Sequence, residues 1–295
     1  MTSRARLILL LLVVPLSAML LLLVTPPVED LSLESERWTG LKDVASVLDV
    51  LEEEWEVAAL EDEPVGSTLL VVPRKPFRAE EVSHIGAFVE RGGNVLVIDD
   101  FGYGNQLLNG LGLDVTITGG TLVDPVNCVK NESMPLVAAS PPGHGDGTMV
   151  LALNHASWLK VGQGAQAWAT SSRFSFDDAN GNGLRDREET AGPLNVAATC
   201  ALGEGTVHVV SDASIVINAM VNEADNAIVL RAVAGDRVLI DMSRLPDTGA
   251  DAGKRFLSQV RRTSGSVAGL SALLLGLASL ALLYPWYNRG RHYER

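Results

Sequence analysis

Apolar positions along the chain follow three patterns. Leu41, Val44, Leu48 and Leu51 recur at helical spacing, with Thr39 placed as an N-cap. "EVAAL" (56–60) and "TLLVV" (68–72) are short continuous runs that predict buried strands. Val82, Ile85, Phe88 and Val89 mark a helix face that stops at Gly92-Gly93, a left-handed C-cap pair. "NVLVID" (94–99) predicts another buried strand. Strand, helix and strand with short joints predict a right-handed crossover and a parallel sheet. Beyond residue 120 the pattern changes to short alternating runs such as "TMVLAL" and "AQAWAT". Residues 120–190 therefore read as a β-rich insertion. "NVAATCALGEGTVHVV" (195–210) reads as a hairpin turning near Gly203-Glu204-Gly205.

Two longer apolar runs lie near the ends. Leu7 to Val24 is interrupted only by Pro15 and Ser17, and at about 1.5 Å per residue it nearly crosses a bilayer core of about 30 Å. It exceeds the apolar region of a signal peptide, roughly 7–15 residues, and reads as an uncleaved anchor within residues 1–26. Val267 to Tyr287 carries no charge and ends in Tyr284, Trp286 and Tyr287, with Arg289, Arg291 and Arg295 following. That border predicts a C-terminal transmembrane helix over 267–287. Residues 246–266 read as a juxtamembrane linker, and 34–245 as the folded domain. Arg4, Arg6 and the C-terminal arginines place both termini in the cytoplasm and the middle segment outside it, as a two-span cell-membrane protein. Lys254, Arg255, Arg261 and Arg262 oppose that orientation. Cys128 and Cys200, able to pair in an oxidising compartment, and the Asn131-Glu132-Ser133 sequon weakly favour it.

Charge narrows the partners. The chain carries a net charge of −13, which argues against nucleic acid, whose binders present a basic stripe. The middle segment has room for one large domain or two small ones.

"STLLVVPRKPFRAEEVSHIGAFVERGGNVLVIDDFGYGNQLLNGLGLDV" (67–115) resembles an uncharacterised prokaryotic family of membrane-anchored proteins. "GPLNVAATCALGEGTVHVVSDASIVINAMVNEADNAIVLRAV" (192–233) is similar to a later block of the same family. The resemblance implies an α/β fold: a parallel-sheet, class I glutamine-amidotransferase-like (flavodoxin-like) domain, here with its β-rich insertion and a transmembrane helix on each side. The family has no established reaction. Amidotransferases of this fold place a cysteine on a strand-to-helix elbow, with a helix N-terminus helping to lower its pKa. The corresponding elbow, Asp99-Asp100-Phe101-Gly102-Tyr103-Gly104-Asn105, holds neither Cys nor Ser, and a later His-x-Glu pair is absent. The chain therefore reads as non-enzymatic. A Cys200–His208 dyad across the hairpin is the weaker alternative. His84 and His144 have no partners at metal-ligand spacing, and "GYG" lacks the Lys-Ser/Thr of a phosphate loop.

Two segments carry candidate sites. Parallel sheets bind ligands in the crevice at their strand carboxyl ends. Arg74 and Lys75 there face Asp99, Asp100, Tyr103 and Asn105, a set suited to a zwitterionic group or a partner loop. Solvated turn residues are the competing reading. In "DDANGNGLRDREE" (177–189), Asp178, Asn180, Asn182, Asp186 and Glu189 occupy positions 1, 3, 5, 9 and 12 of a calcium loop. Gly183 stands at position 6 and Leu184 offers its carbonyl at position 7. Only three formal charges face the ion, so affinity should be weak, about 10⁻⁴–10⁻³ M, with structural Ca²⁺ as the cofactor. A strand-like flank argues for a braced turn rather than a paired EF-hand. An acidic solvated turn is the alternative.

The expected function is a non-catalytic, membrane-tethered extracytoplasmic domain that works through a protein partner in the cell envelope. Resemblance suggests a neighbouring transporter or assembly ATPase. A hydrolase or small-ligand sensor using the strand-end crevice is the alternative.

Overall fold

Continuous apolar strands need cover on both faces, and this chain supplies it with helices on one side and with helices and the curled end of the sheet on the other. The structure, a computed structural model, describes residues 31–33, 35–50, 57–145, 147–241 and 243. These residues belong to a unit spanning Glu29–Pro246. The first elements are α1 (Lys42–Val47), a 3₁₀ turn (Val57–Asp62), β1 (Thr68–Val71), α2 (Ala79–Glu90), β2 (Asn94–Ile98) and α3 (Asn105–Gly110). Seven short strands follow: β3 (Val115–Ile117), β4 (Leu122–Val123), β5 (Leu136–Ala139), β6 (Met149–Ala152), β7 (Leu159–Val161), β8 (Ala165–Thr170) and β9 (Phe176–Asp177). The chain continues through β10 (Asn195–Leu202), β11 (Gly205–Val210), a second 3₁₀ turn (Ala213–Val216), α4 (Asn226–Ala234) and β12 (Val238–Ile240).

One ten-stranded sheet runs in the order β12-β1-β2-β11-β10-β8-β5-β6, with β7 pairing β10 and β3 pairing β7 off that path. β12, β1, β2 and β11 are mutually parallel. From β10 onward every pairing is antiparallel. The parallel-sheet, class I glutamine-amidotransferase-like (flavodoxin-like) domain with a β-rich insertion, expected from resemblance, is thus corrected to a mixed α/β fold on a curled half-barrel sheet. The physical reason is the turn at Gly203-Glu204. A connection of two residues can only make a hairpin, so β10 lies antiparallel to β11 and its far edge recruits β8, β5 and β6. β5 to β8 are therefore continuous with the parallel half of the sheet.

Alternate residues of the central strands face two different cores. Leu69, Val71, Val95, Val97, Val207 and Val209 pack with Ile85, Phe88 and Val89 of α2 and Leu107 and Leu108 of α3. Leu70, Leu96, Ile98 and Val210 pack with Val44 of α1, Val229, Leu230 and Val233 of α4, and the inner faces of β5 and β6. Burial on both faces is why these strands read as unbroken apolar runs.

Two local expectations are corrected. "EVAAL" enters the Val57–Asp62 3₁₀ turn rather than a strand. The first helix begins at Lys42 without a local side-chain cap, so Thr39 does not serve. Instead Asn218 Oδ1 accepts from Asp43 N at 2.9 Å, while its amide donates to the Ser35 and Arg37 carbonyls.

Among the described residues no helix is long and apolar enough to cross a membrane. The spans expected at 7–24 and 267–287 lie outside the described residues, as does the 246–266 linker. The two-span cell-membrane topology and the extracytoplasmic placement are accordingly withdrawn.

The terminal strand β6 is sealed by side chains. Asn226, fully buried at the start of α4, accepts from Ala152 N at 2.9 Å and donates to Ala152 O at 2.8 Å. Asp225 pairs in the same way with Val150, accepting its N–H and donating its own to the carbonyl. Asn226→Ala leaves both polar groups of Ala152 unpaired and should cost about 2–4 kcal/mol in a denaturant titration. A loss below about 1 kcal/mol would show that this edge does not depend on Asn226.

Candidate strand-end site and calcium-type loop

The four parallel strands end on the same side, and each is followed by a polar residue: Arg74 after β1, Asp99 and Asp100 after β2, Asp212 after β11 and Asp241 after β12. The loops that carry them are set by side-chain amides. Gln106 pairs with both the N–H and C=O of Phe77 at 2.9 and 2.7 Å, tying the loop after β1 to α3. Asn105 does the same with Ile117 at 2.8 Å each way, tying α3 to β3. Asn105 was expected in the ligand crevice, but both ends of its amide are engaged by backbone.

The carboxylates divide into held and available groups. Asp99 accepts from Phe101 N at 2.9 Å and Gly104 N at 2.6 Å, so it shapes its own turn. Burial raises its pKa, against the pull of those N–H groups and of Arg74. Asp212 is fully buried and accepts from Asn154 N and Ser214 N, both at 2.7 Å. Burial pushes it up to about 8, and the nearby Asp100 charge adds to the rise. Asp100 is pushed up to about 6, mainly by burial, with Arg74 opposing. Its Oδ1 is enclosed and has no hydrogen-bond partner.

Arg74 is the cation of the site. Its guanidinium lies 4.7 Å from the centroid of the Phe101 ring, and Phe101 stands 6.2 Å from Tyr103. Those rings are 58% and 46% exposed, unusual for aromatics beside a buried polar group. Arg74 Nε is buried without an acceptor, and among the described residues the guanidinium forms no ion pair. The fold thus brings Arg74, Asp99, Asp100 and Tyr103 together. Lys75 follows Arg74 in the same loop. Sequence reasoning missed Asp212, Gln106 and Phe101. The signal for Asp212 was an acid directly after the run "TVHVVS", two residues past the end of β11 as Asp100 is past the end of β2.

The calcium-type loop is flanked by strand pairing, with β9 bonded to β4 and Phe176 bridged to Ala191. Asp178 accepts from Asn182 N at 3.0 Å and Gly183 N at 2.9 Å. Asn180 and Asn182 oxygens accept from Asn182 N and Leu184 N. Glu189 closes the loop by accepting from Ala179 N and Asp186 N, each at 3.0 Å. Both asparagine amides donate to Asp186 Oδ2, at 2.6 and 3.0 Å. Gly181 and Gly183 take φ of +71°, the bend only glycine makes cheaply. Among the described residues no three carboxylate, histidine or cysteine groups are gathered for a metal. The donors nonetheless suit a hard cation: all are oxygens, and each amide oxygen retains a second lone pair. Asp177 Oδ1, next to the loop, is buried without a partner. As arranged, amide nitrogens occupy the position beside Asp186 that a cation would take.

The Cys200–His208 dyad is excluded by register. Thr199 lies opposite His208 and Cys200 opposite Val207, so the two side chains leave opposite faces of the sheet. Burial pushes the Cys200 thiol up to about 11 and His208 down to about 4. His208 Nδ1 instead meets Thr199 Oγ1 at 2.8 Å. Cys128 and Cys200, which could have paired, are both free thiols.

A profile for the family described as DUF4350, a domain of unknown function, matches residues 34–234, and the chain belongs to that family. No curated protein matches. Among solved structures, the chain is similar to the mmIFT52 N-terminal domain at 15% identity, covering 66% of this chain and 91% of that one with a TM-score of 0.49. It is similar to the cytoplasmic protein STM1381 from Salmonella typhimurium LT2 at 13% identity, covering 66% and 88% with a TM-score of 0.40. A β-galactosidase from Bacillus circulans sp. alkalophilus is similar at 11% identity, covering 51% of this chain and 21% of that one with a TM-score of 0.32. Likeness at this level assigns no activity.

Both Asp100 and Asp212 have folded pKa values above the unfolded value of 3.8, so the folded state holds more protons between those limits. Stability must then fall as pH rises, first towards about 6 for Asp100 and on towards about 8 for Asp212. Asp212→Asn should flatten the part of that slope between about 6 and 8 in denaturant titrations. An unchanged slope would mean that Asp212 is ionised in the folded protein.

Proposed function

We propose that this member of the DUF4350 family is a non-catalytic recognition protein that acts through a protein partner at the ends of its parallel strands. The observation that carries this reading is Arg74 stacked over an exposed Phe101 beside an exposed Tyr103. Arginine and aromatic side chains dominate binding energy at protein interfaces, where a stacked guanidinium is already oriented for its acceptor. The acidic groups beside them support recognition over chemistry. Asp99 and Asp212 spend their oxygens on backbone N–H groups, and the turn after β2 holds no Cys or Ser. The hydrolase reading draws on the separation of Asp100 at about 6 from Asp212 at about 8, the pattern of an acid and base pair. Asp212 is enclosed, however, and has no open path to a substrate atom. A small-ligand sensor at Arg74 and Asp100 is the second reading.

The loop 178–189 we assign as a structural calcium site. Asp178, Asp186 and Glu189 would supply charge, with Asn180, Asn182 and the Leu184 carbonyl completing an oxygen shell. The ion's chemistry there is to replace the amide donors on Asp186 and brace the turn.

Partner capture tests the first assignment. The full chain should retain one protein through co-purification, and Arg74→Glu should lower that affinity at least about tenfold, as should Phe101→Ala with Tyr103→Ala. Capture that survives all these changes, with melting unaltered, would move the interface elsewhere. For the loop, roughly 10 mM calcium should stabilise the protein by about 1.4–2.7 kcal/mol, and Asp178→Ala with Glu189→Ala should abolish that gain. Equal melting in calcium and in chelator would leave only a hydrogen-bonded turn.

A further inference from the structure

The chain has three Asn-Gly pairs, Asn109-Gly110, Asn180-Gly181 and Asn182-Gly183. In such a pair the glycine nitrogen can attack the asparagine Cγ, because no side chain on the second residue stands in the way. Two of the three nitrogens are held. Gly110 lies inside α3, where N–H groups serve the helix ladder, and a Cβ on it would meet Val82 at 2.7 Å. Gly183 N donates to Asp178 Oδ2 at 2.9 Å. Gly181 N has no acceptor among the described residues. In other respects the two pairs of the loop are alike. Asn180 Oδ1 accepts from Asn182 N at 3.0 Å and Asn182 Oδ1 from Leu184 N at 2.7 Å, so each side chain folds back along its own backbone past the glycine that follows. Both glycines take a φ of +71°. What separates the pairs is the commitment of the glycine N–H. Asn180 and Gly181 are also exposed, so water reaches both.

We propose that Asn180 is a site of spontaneous deamidation and, resting on the calcium reading above, that the carboxylate formed there tightens cation binding by the loop. Deprotonated Gly181 N attacks Asn180 Cγ, the new C–N bond closes a succinimide ring, and the side-chain nitrogen leaves as ammonia. Water then opens the ring at either carbonyl, which gives aspartate or its β-linked isomer. The overall change is amide plus water to carboxylate plus ammonium, with no oxidation or reduction. Gly183 N must first give up its bond to the buried Asp178 carboxylate before it can do the same. Charge gives the conversion its consequence. The Asn180 amide donates to Asp186 Oδ2 at 2.6 Å. A carboxylate in its place repels Asp186 when the loop is empty and joins it in holding a cation when the loop is filled. The oxygen shell then gains a fourth formal charge beside those of Asp178, Asp186 and Glu189. One covalent step thus turns a hydrogen-bonded turn into a loop that depends on its ion.

Peptide mapping by mass spectrometry of the full chain, aged in chelator at mildly alkaline pH, reads the conversion directly. Asn180 should convert at a rate close to that of the same residue in a synthetic 177–189 peptide, and Asn182 and Asn109 at least about tenfold more slowly. Asp178→Ala frees Gly183 N and should bring Asn182 up to the rate of Asn180, with a slow Asn109 showing that the fold is kept. A lead by Asn182 or Asn109, an Asn180 that stays intact while the peptide converts, or an Asn182 indifferent to Asp178→Ala would each overturn the proposal. Calcium titration followed by melting reads the consequence. Asn180→Asp should bind calcium at least about tenfold more tightly than the parent chain and melt earlier than it in chelator. If calcium stabilises the parent chain and Asn180→Asp binds it no better, the tightening is overturned and the calcium site stands. If calcium stabilises neither, the calcium reading falls and takes the tightening with it, while the modification site stands on the mapping alone.

Discussion

Strand β11 is the constraint on which the rest of the molecule depends. One edge bonds parallel to β2 and the other antiparallel to β10, so a single strand joins two kinds of sheet. Its position is locked at the hairpin turn, which sits on the C-terminal end of α2. Glu204 N donates to Glu90 O at 3.0 Å, and Thr206 N to Gly93 O at 3.4 Å. A side chain at Gly205 would collide with the carbonyl oxygens of Val89 and Gly93, and one at Gly203, whose φ is +60°, with the Glu90 backbone. Only backbone without Cβ can approach the helix so closely. Displacing this turn would move β11 off β2 and carry the whole antiparallel half with it.

From that junction follows the chemistry of the strand ends. Because β11 lies beside β2, Asp212 is brought near Asp100, whose charge adds to the cost of ionising Asp212 in an enclosed space. Because β1 lies on the other side of β2, Arg74 reaches the same ground and lowers the pKa of both Asp99 and Asp100. The fold therefore concentrates unlike charges at one edge, commits Asp99 and Asp212 to backbone, and leaves one donor and one acceptor unspent.

Side-chain amides recur wherever the chain needs a backbone group and has none. Asn105 and Gln106 each mimic a strand neighbour for one residue, Asn226 closes β6, and Asn218 begins α1. An amide carries a donor and an acceptor at the spacing of a peptide unit, so one side chain can satisfy both polar groups of a partner residue.

What the sequence by itself determined was the local layer. The helix over Ala79–Glu90, the strands at 68–71 and 94–98, and the 195–210 hairpin were legible because their apolar spacing, glycine stops and turn residues are short-range signals. The positions of Arg74, Asp99, Asp100 and Tyr103 at strand ends followed from those elements. The tertiary structure decided everything that depends on which strand meets which. Pattern alone did not show that β11 would join a parallel block to an antiparallel one, so the expected parallel-sheet domain with an insertion gave way to a single mixed sheet. The cap on α1 comes from Asn218 and the lock on β6 from Asn226, and no window of sequence holds either pair of partners. Asp212 became part of the site only through the pairing of β11 with β2. The apolar period records which residues must leave water, but long-range backbone pairing, with its own hydrogen-bond geometry, selects the neighbours that receive them.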